Sequence, residues 1–333
     1  MSQVSENKQI SEHAVAQILV DEASEGQRID NFLAKVLKGV PKSHIYRILR
    51  SGEVRVNKGR VDASRKLVVH DVVRVPPIRV SIKSTVNDHA TPVISKFDDA
   101  IVFEDDAMLV LNKPAGFAVH GGSGVSRGVI EQLRLERPKA KFLELVHRLD
   151  RDTSGVLLLA KRRSALVALH QAIRENKTDK RYAVLVAGEW VANKKRVVLD
   201  LQKYLLPNGE RRVNVVTDRA KDKFNEAQVS ETVFYLKQAF EGFTLLEAKL
   251  ITGRTHQLRV QLAHLGFPIV GDDKYGDFEL NKALQKQGLK RMFLHSIETK
   301  LNHPLNHERL HLVAPLPKVL AQFIATLTKK LVD

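Results

Sequence analysis

Seven short apolar runs constrain the fold of this chain more than any other feature. They lie at residues 101–103, 109–111, 156–160, 182–186, 243–250, 292–297 and 310–313, each of strand length and bounded by polar or turn-forming residues. Only three segments among them carry helical periodicity. Residues 164–176 place Leu166, Leu169 and Ile173 on one stripe, residues 256–265 place Leu258, Leu262 and Leu265 at i, i+4 and i+7 ahead of Gly266, and residues 318–331 close the chain. Strands outnumber helices and do not alternate with them. The pattern therefore predicts an α+β fold on a mixed, mainly antiparallel sheet with flanking helices, rather than a doubly wound one.

Upstream lies a separate basic module. Residues 1–22 read as a flexible tail, 23–81 as a compact small domain, 82–98 as a linker containing Asn87-Asp88 and Thr91-Pro92, and 99–333 as the larger domain. The small domain is predicted to hold helices at 28–37 and from Pro41 and Ser43 to Gly52, then a strand at 54–56 and a turn at Asn57-Lys58-Gly59. On the second helix Ile45, Ile48 and Leu49 share one face, while Ser43, Arg47 and Arg50 share the other. Between Arg28 and Lys66 stand eleven basic and three acidic residues, half of the chain's formal net charge of +16. A solvated helix face mixes signs and this one does not, so RNA or DNA is the expected partner. The candidate contacts are Arg28, Lys42, Ser43, Arg47, Arg50, Arg55 and Lys58.

There are no cysteines, which excludes disulfides, Cys-ligated zinc and thiol nucleophiles. Thirteen histidines form no HExxH, and Gly121-Gly122-Ser123-Gly124 is neither a Walker loop nor a GxGxxG fingerprint. No metal, nucleotide or redox cofactor is indicated. No run approaches the roughly 18 apolar residues of a membrane span, and residues 1–23 have no signal-peptide character, so a cytoplasmic protein is expected.

Three clusters can carry chemistry. The densest is His147-Arg148-Leu149-Asp150-Arg151-Asp152-Thr153-Ser154-Gly155, leading into an apolar strand. Polar residues crowded before a buried strand form a loop at a sheet edge, where sites often lie. Arginines beside Asp150 favour an ionised carboxylate, which can act as nucleophile or base. The residue types alone fit an ordinary Asp–Arg ion pair better. Asp150 and Asp152 are also a formal carboxylate pair for a hydrolase, with nothing else in support. Gly253-Arg254-Thr255-His256-Gln257-Leu258-Arg259 opens a helix and suits either an anion at the helix N-terminus or simple capping by Thr255. Lys180-Arg181-Tyr182 starts a strand; Tyr182 is either a stacking face for a base or a core tyrosine.

Together these segments resemble one family, the RluA-type pseudouridine synthases that carry an N-terminal S4 domain. The resemblance rests on HRLDRDTSG at 147–155, Asn112-Lys113-Pro114, GRTHQLR at 253–259, Gly271-Asp272 and Tyr275-Gly276, and covers nearly the whole chain beyond the tail. It implies a pseudouridine synthase fold, an S4 RNA-binding domain at 23–81, isomerisation of uridines in 23S ribosomal RNA and no cofactor; a monomer is the default expectation. It further implies Asp150 as nucleophile or base, Arg254 as the cation that pairs with it, and Tyr182 stacked on the uracil. Arg148, with His147 beside it, is the implied contact to the displaced RNA. Gln261 and Phe267 stand where the family often has histidine. The competing possibility is a non-catalytic S4-type ribosomal RNA-binding protein. Arg47→Ala is expected to weaken RNA affinity and lower the slope of log Kd against log salt by about 1; equal affinities across a salt titration would remove Arg47 from the interface.

Overall fold

The computed structural model describes residues 15–37, 39–78, 97–121, 127–207, 209–216 and 227–330. The chain divides into two compact units, residues 1–88 and 89–333. Of the expected linker at 82–98, residues 82–96 lie outside the described residues; 97 and 98 open a 3-10 turn, Phe97–Ala100.

In the first unit, strand β1 (Ala16–Leu19), helices α1 (Ile29–Val36) and α2 (Lys42–Arg50), and strands β2 (Arg55–Val56) and β3 (Val72–Val75) form a three-stranded sheet with two helices. Of the expected tail at 1–22, residues 1–14 lie outside the described residues, and the remainder needs correction. Residues 16–19 pair antiparallel with β3, and Val20 is buried. The run is four residues long with alternate exposure, too short to stand out from a polar terminus. Ile29, Phe32 and Leu33 of α1 pack against Ile45, Ile48 and Leu49 of α2, as the helical spacing requires.

The second unit holds eleven strands in one sheet. In chain order they are β4 (Ile101–Glu104), β5 (Met108–Lys113), β6 (Glu144–Leu145), β7 (Ser154–Ala160), β8 (Asp179–Ala187), β9 (Lys194–Leu205), β10 (Arg211–Val216), β11 (Gln228–Phe240), β12 (Phe243–Leu250), β13 (Leu294–Asn302) and β14 (Arg309–Val313). The main path runs β10-β9-β11-β12-β8-β13-β7-β5-β4, with β14 on β13 and β6 on β7. Pairing is antiparallel except where β13 meets β7, which makes the sheet mixed and mainly antiparallel. Around it lie α3 (Val129–Glu136), α4 (Arg163–Arg174), α5 (Gln257–His264), α6 (Phe278–Lys286) and α7 (Lys318–Thr326). None of the described helices is long and apolar enough to cross a membrane.

Both faces of the central strands are covered. On β8, Val184 and Val186 join Leu157, Leu246, Leu258 and Leu262 in the main core, while Leu185 on the opposite face meets Phe240, Phe293 and Phe323. That double burial explains the nearly continuous apolar runs in the sequence.

One glycine fixes how closely the central strands approach. Gly155, at φ +109°, begins β7 where it pairs with Ser296 of β13, and a Cβ there would lie 2.1 Å from the Ser296 carbonyl oxygen. Ser296 in turn pairs with Tyr182 of β8, and the register shifts immediately beyond it. The three strands that bring Asp150 and Tyr182 together thus converge at a point where no side chain fits. Gly155→Ala is expected to lower unfolding free energy by at least about 3 kcal/mol, read from urea denaturation; a variant within 0.5 kcal/mol of wild type, on the order of a surface change, would mean the strands can separate freely.

Candidate active site

The loop that carries Asp150 is held from below. Lys113, at the end of β5, is fully buried, and its Nζ donates to the carbonyls of Pro114, Phe117 and Arg151 at 2.9, 2.9 and 3.0 Å. Burial pushes this ammonium down to about 7, against the pull of Asp152. The Gly116 N–H also donates to the Arg151 carbonyl, at 2.8 Å. At the loop's far end Arg291 Nη2 donates to Ser154 Oγ at 2.8 Å, and Ser154 Oγ meets His295 Nδ1 at 2.8 Å. His295 Nε2 lies 3.1 Å from the Ala314 carbonyl, so it carries the proton and Nδ1 accepts from the serine.

His147 belongs to the same scaffold. Its Nε2 accepts from the Leu158 N–H at 3.1 Å, and burial, assisted by the charge of Lys180, brings its pKa down to about 4. The ring is a neutral pin between the loop and β7. The sequence placed His147 among RNA contacts; the structure instead commits its Nε2 to backbone, although the ring borders the pocket. Arg148, next in sequence, is exposed on the pocket wall.

Asp150 sits in a pocket of about 780 Å³, with Tyr182, Arg148, Arg254, His256 and Lys180 among its walls. Its carboxylate is about one-quarter exposed. The cation that reaches it is Arg259, with Nη1 3.4 Å from Asp150 Oδ2. Arg259 is itself buried by a two-pronged pair with Asp272, Nε–Oδ2 2.7 Å and Nη2–Oδ1 2.6 Å, and Nη2 lies 3.2 Å from Asp273. Burial works against the guanidinium charge, but the hydrogen bonds and charge of Asp272, then Asp150, more than offset it and raise its pKa. Burial likewise opposes the Asp272 carboxylate, and the Arg259 hydrogen bonds outweigh it, leaving its pKa lowered.

This corrects the expected partner. Arg254 lines the pocket, but its Nε donates to the Val229 carbonyl at 3.0 Å and its backbone N–H to Gln257 Oε1 at 3.0 Å. Arg254 precedes α5 and points along the rim; Arg259, on the first turn of that helix, points inward. Thr255 does not cap α5. The N-terminal position is His256, in the left-handed region at φ 52°.

His256 joins a second set of contacts around the carboxylate. The Val213 N–H donates to Tyr275 Oη at 3.0 Å, so the phenolic proton is free to be given to His256 Nδ1, 2.8 Å away. The remaining proton of a neutral imidazole then sits on Nε2, 4.0 Å from Asp150 Oδ1. Burial lowers the His256 pKa, with Asp150 pulling the other way, which favours that neutral form.

Tyr182 is buried, and burial pushes its phenol up to about 12, opposed by Ser296 and reinforced by the charge of Asp150. Gln261 and Phe267 are accommodated without strain. Gln261 is fully buried, accepts from Thr232 Oγ1 at 2.7 Å and donates to Ser230 Oγ at 2.9 Å. Phe267 packs edge-on against Trp190, 5.0 Å between centroids.

The candidates on the first unit belong to its own compact body, residues 1–88. Lys42, Ser43, Arg47, Arg50, Arg55 and Lys58 are exposed. Arg28 is occupied, its Nη2 2.7 Å from Asp30 Oδ2, and Tyr46 Oη donates to the same oxygen at 3.1 Å. Sequence reading missed Arg259, Asp272, His256 and Tyr275 as site residues, although all stand in the quoted motifs. Arg259→Met strands Asp272 and is expected to cost about 3–5 kcal/mol of stability, whereas Arg254→Met leaves stability unchanged; equal melting curves for both would refute the central ion pair.

A family described as RNA pseudouridylate synthase matches residues 107–264, and the S4 domain family matches residues 27–73. Ribosomal large subunit pseudouridine synthase C of Pasteurella multocida is 48% identical over 99% of both chains. The Escherichia coli protein of that name is 49% identical over 94% of this chain and 96% of its own. Among solved structures, Human RNA Pseudouridylate Synthase Domain Containing 4 superposes with a TM-score of 0.55 at 25% identity, covering 71% of this chain and 96% of that one.

Proposed function

The chain belongs to the RNA pseudouridylate synthase family, and on that premise we propose that it isomerises specific uridines of 23S ribosomal RNA to pseudouridine, with Asp150 as the reactive carboxylate. The observation that carries the reading is Asp150 itself. It is a part-exposed carboxylate in an open, largely cationic pocket, held by a buried arginine whose charge is anchored elsewhere. The large-subunit target follows from the names of the relatives, and the S4 unit with its one-signed charge supplies a surface for that RNA.

The reaction breaks the uridine N1–C1′ bond and joins C5 to C1′. One proton leaves C5 and one is gained at N1, so the change is balanced without oxidant or reductant. A carboxylate assists by attack or proton removal at the sugar, or by addition at C6 of the ring. Arg259 aims it through a single nitrogen, because the shorter contacts of that guanidinium go to Asp272. The target nucleotide must leave its stack, at a cost of a few kcal/mol. Stacking on Tyr182 and contacts from Arg148 offset that cost. Because burial keeps the Tyr182 phenol neutral, it acts as a face and a donor, and C5 deprotonation falls to Asp150 or water.

Incubating the protein with unmodified 23S transcript, followed by carbodiimide labelling and primer extension, reads the product directly. Wild type is expected to give discrete stops and Asp150→Ala none, with RNA affinity retained. Stops from both proteins would sink the assignment of Asp150. Tyr182→Phe is expected to keep turnover within about tenfold, since a lost proton transfer costs roughly 100-fold or more.

A further inference from the structure

Strand β8 places Lys180 and Tyr182 two residues apart, so both side chains leave the same face and both line the catalytic pocket. Their neighbour Arg181 is tied to Asp179, Glu247 and Glu298. Among the described residues no carboxylate, carbonyl or hydroxyl takes a hydrogen bond from the Lys180 Nζ. Desolvation lowers its pKa, with no acidic group opposing. Its field falls on His147, where it disfavours a second charge. Asp150, the carboxylate of this pocket, is engaged by Arg259 instead.

The ammonium lies beside Gly253, its Nζ 3.9 Å from where a Cβ on that residue would stand. The glycine leaves that side of the cation uncovered toward the pocket. A half-buried cation without a counter-charge loses part of its hydration and gains no partner in the free protein. Lys113 shows how this chain treats a buried lysine that serves only the fold, with three carbonyls on one Nζ. Lys180 lacks that arrangement, and what the pocket admits must complete it.

We propose that Lys180 is a phosphate-binding residue of the catalytic pocket, its open ammonium completed by the phosphodiester flanking the uridine that lies on Tyr182. The assignment rests on the RNA-isomerase reading of the same pocket. Two residues along a strand span about 7 Å, the reach of a single nucleotide, so one strand holds the base with its aromatic ring and the adjoining backbone with its cation. A phosphodiester fits better than a uracil carbonyl because it brings the formal charge the site lacks.

The test joins a stability measurement to a binding cycle. In the free protein, Lys180→Met is expected to melt at the wild-type temperature or above it, because it removes an uncompensated charge; a clear fall in Tm would show that Lys180 holds the fold and would overturn the proposal. Binding is then measured on a short RNA carrying the uridine located by primer extension, with the phosphate on either side of it replaced in turn by an uncharged methylphosphonate. Wild type is expected to lose about tenfold in affinity at one of the two positions. Lys180→Met is expected to bind the unmodified RNA about as weakly, to lose nothing further from that methylphosphonate, and to show a log Kd–log salt slope lower by about 0.7. Lys180→Arg is expected to keep most of the affinity and the sensitivity to methylphosphonate. Additive losses from the variant and the modified phosphates, with wild-type turnover intact, would overturn the Lys180 assignment alone. No pseudouridine from wild type in any large-subunit RNA would remove the isomerase premise and the assignment with it.

Discussion

The Arg259 guanidinium is the piece on which the rest of the site depends. It is nearly inaccessible to solvent, and so is the Asp272 carboxylate it grips through two nitrogens. Taking both charges out of water is costly, and the geometry answers that cost with short parallel hydrogen bonds. The Asp272 Oδ1 atom also accepts from the Lys274 and Tyr275 N–H groups, at 2.8 and 3.0 Å, so the ion pair shapes the turn that follows it. That turn carries Tyr275, whose ring lies 5.2 Å from the guanidinium and whose hydroxyl reaches His256. Only one guanidinium nitrogen is left for Asp150, at 3.4 Å. The consequence is chemical. A carboxylate locked into a short two-pronged pair is a poor nucleophile, whereas one beside an arginine saturated by another carboxylate keeps lone pairs free to react.

The carboxylate's other side is set by backbone. Lys113 and Gly116 both reach the Arg151 carbonyl, and Gly155 lets β7 meet β13 with no intervening side chain. Segments near residues 113, 150, 182 and 259 are far apart in sequence, yet each is a strand end or helix start on one sheet. The floor of the pocket is therefore as rigid as the core beneath it, where Leu157, Val184 and Leu258 pack together. The rim is different in kind. Arg148 is exposed, Arg254 is held through its Nε, and Lys180 has no partner among the described residues. Rigid acid below and adjustable cations above suit a polyanion that must be bent to fit before it reacts.

Most strands with one or both faces buried were legible as apolar runs, and α4, α5 and α7 as helical segments; β11 was not, since its buried side includes Ser230 and Thr232. The hairpin of β9 and β10 was not legible, because β9 is exposed along most of its length and opens on three consecutive basic residues, Lys194, Lys195 and Arg196. Helices α3 and α6 are short, with only three and two buried residues, so the periodic signal is thin. Strand β1 is visible only through its pairing with β3. At the site, linear order misled. Arg254 and Arg259 share one motif, and although the apolar spacing starts the helix between them, close to the observed Gln257, nothing in the spelling says which arginine meets Asp150. Once α5 starts there, Arg259 is carried toward the core beside Leu258 and Leu262, and Arg254 stays on the approach.

The segment from His147 to Gly155 shows why a dense polar motif should not be assigned wholesale to a substrate. Its residues split by direction. His147 and Ser154 turn inward, where His147 accepts from a strand N–H and Ser154 links Arg291 to His295. Thr153 is buried, and its N–H closes the turn onto the Asp150 carbonyl at 3.2 Å. Gly155 is required by the close approach of β13. Asp152 answers Arg151 at 3.4 Å. Several of these residues border the pocket, but of the motif's charged side chains on its wall Asp150 is the one that meets Arg259 there, with Arg148 exposed beside it. Much of the motif is thus spent on making a tight turn that can hold one carboxylate in place. A loop of backbone buried at a sheet edge needs a partner for every polar group, and supplying those partners from the motif itself demands nearly as many specified residues as the chemistry does.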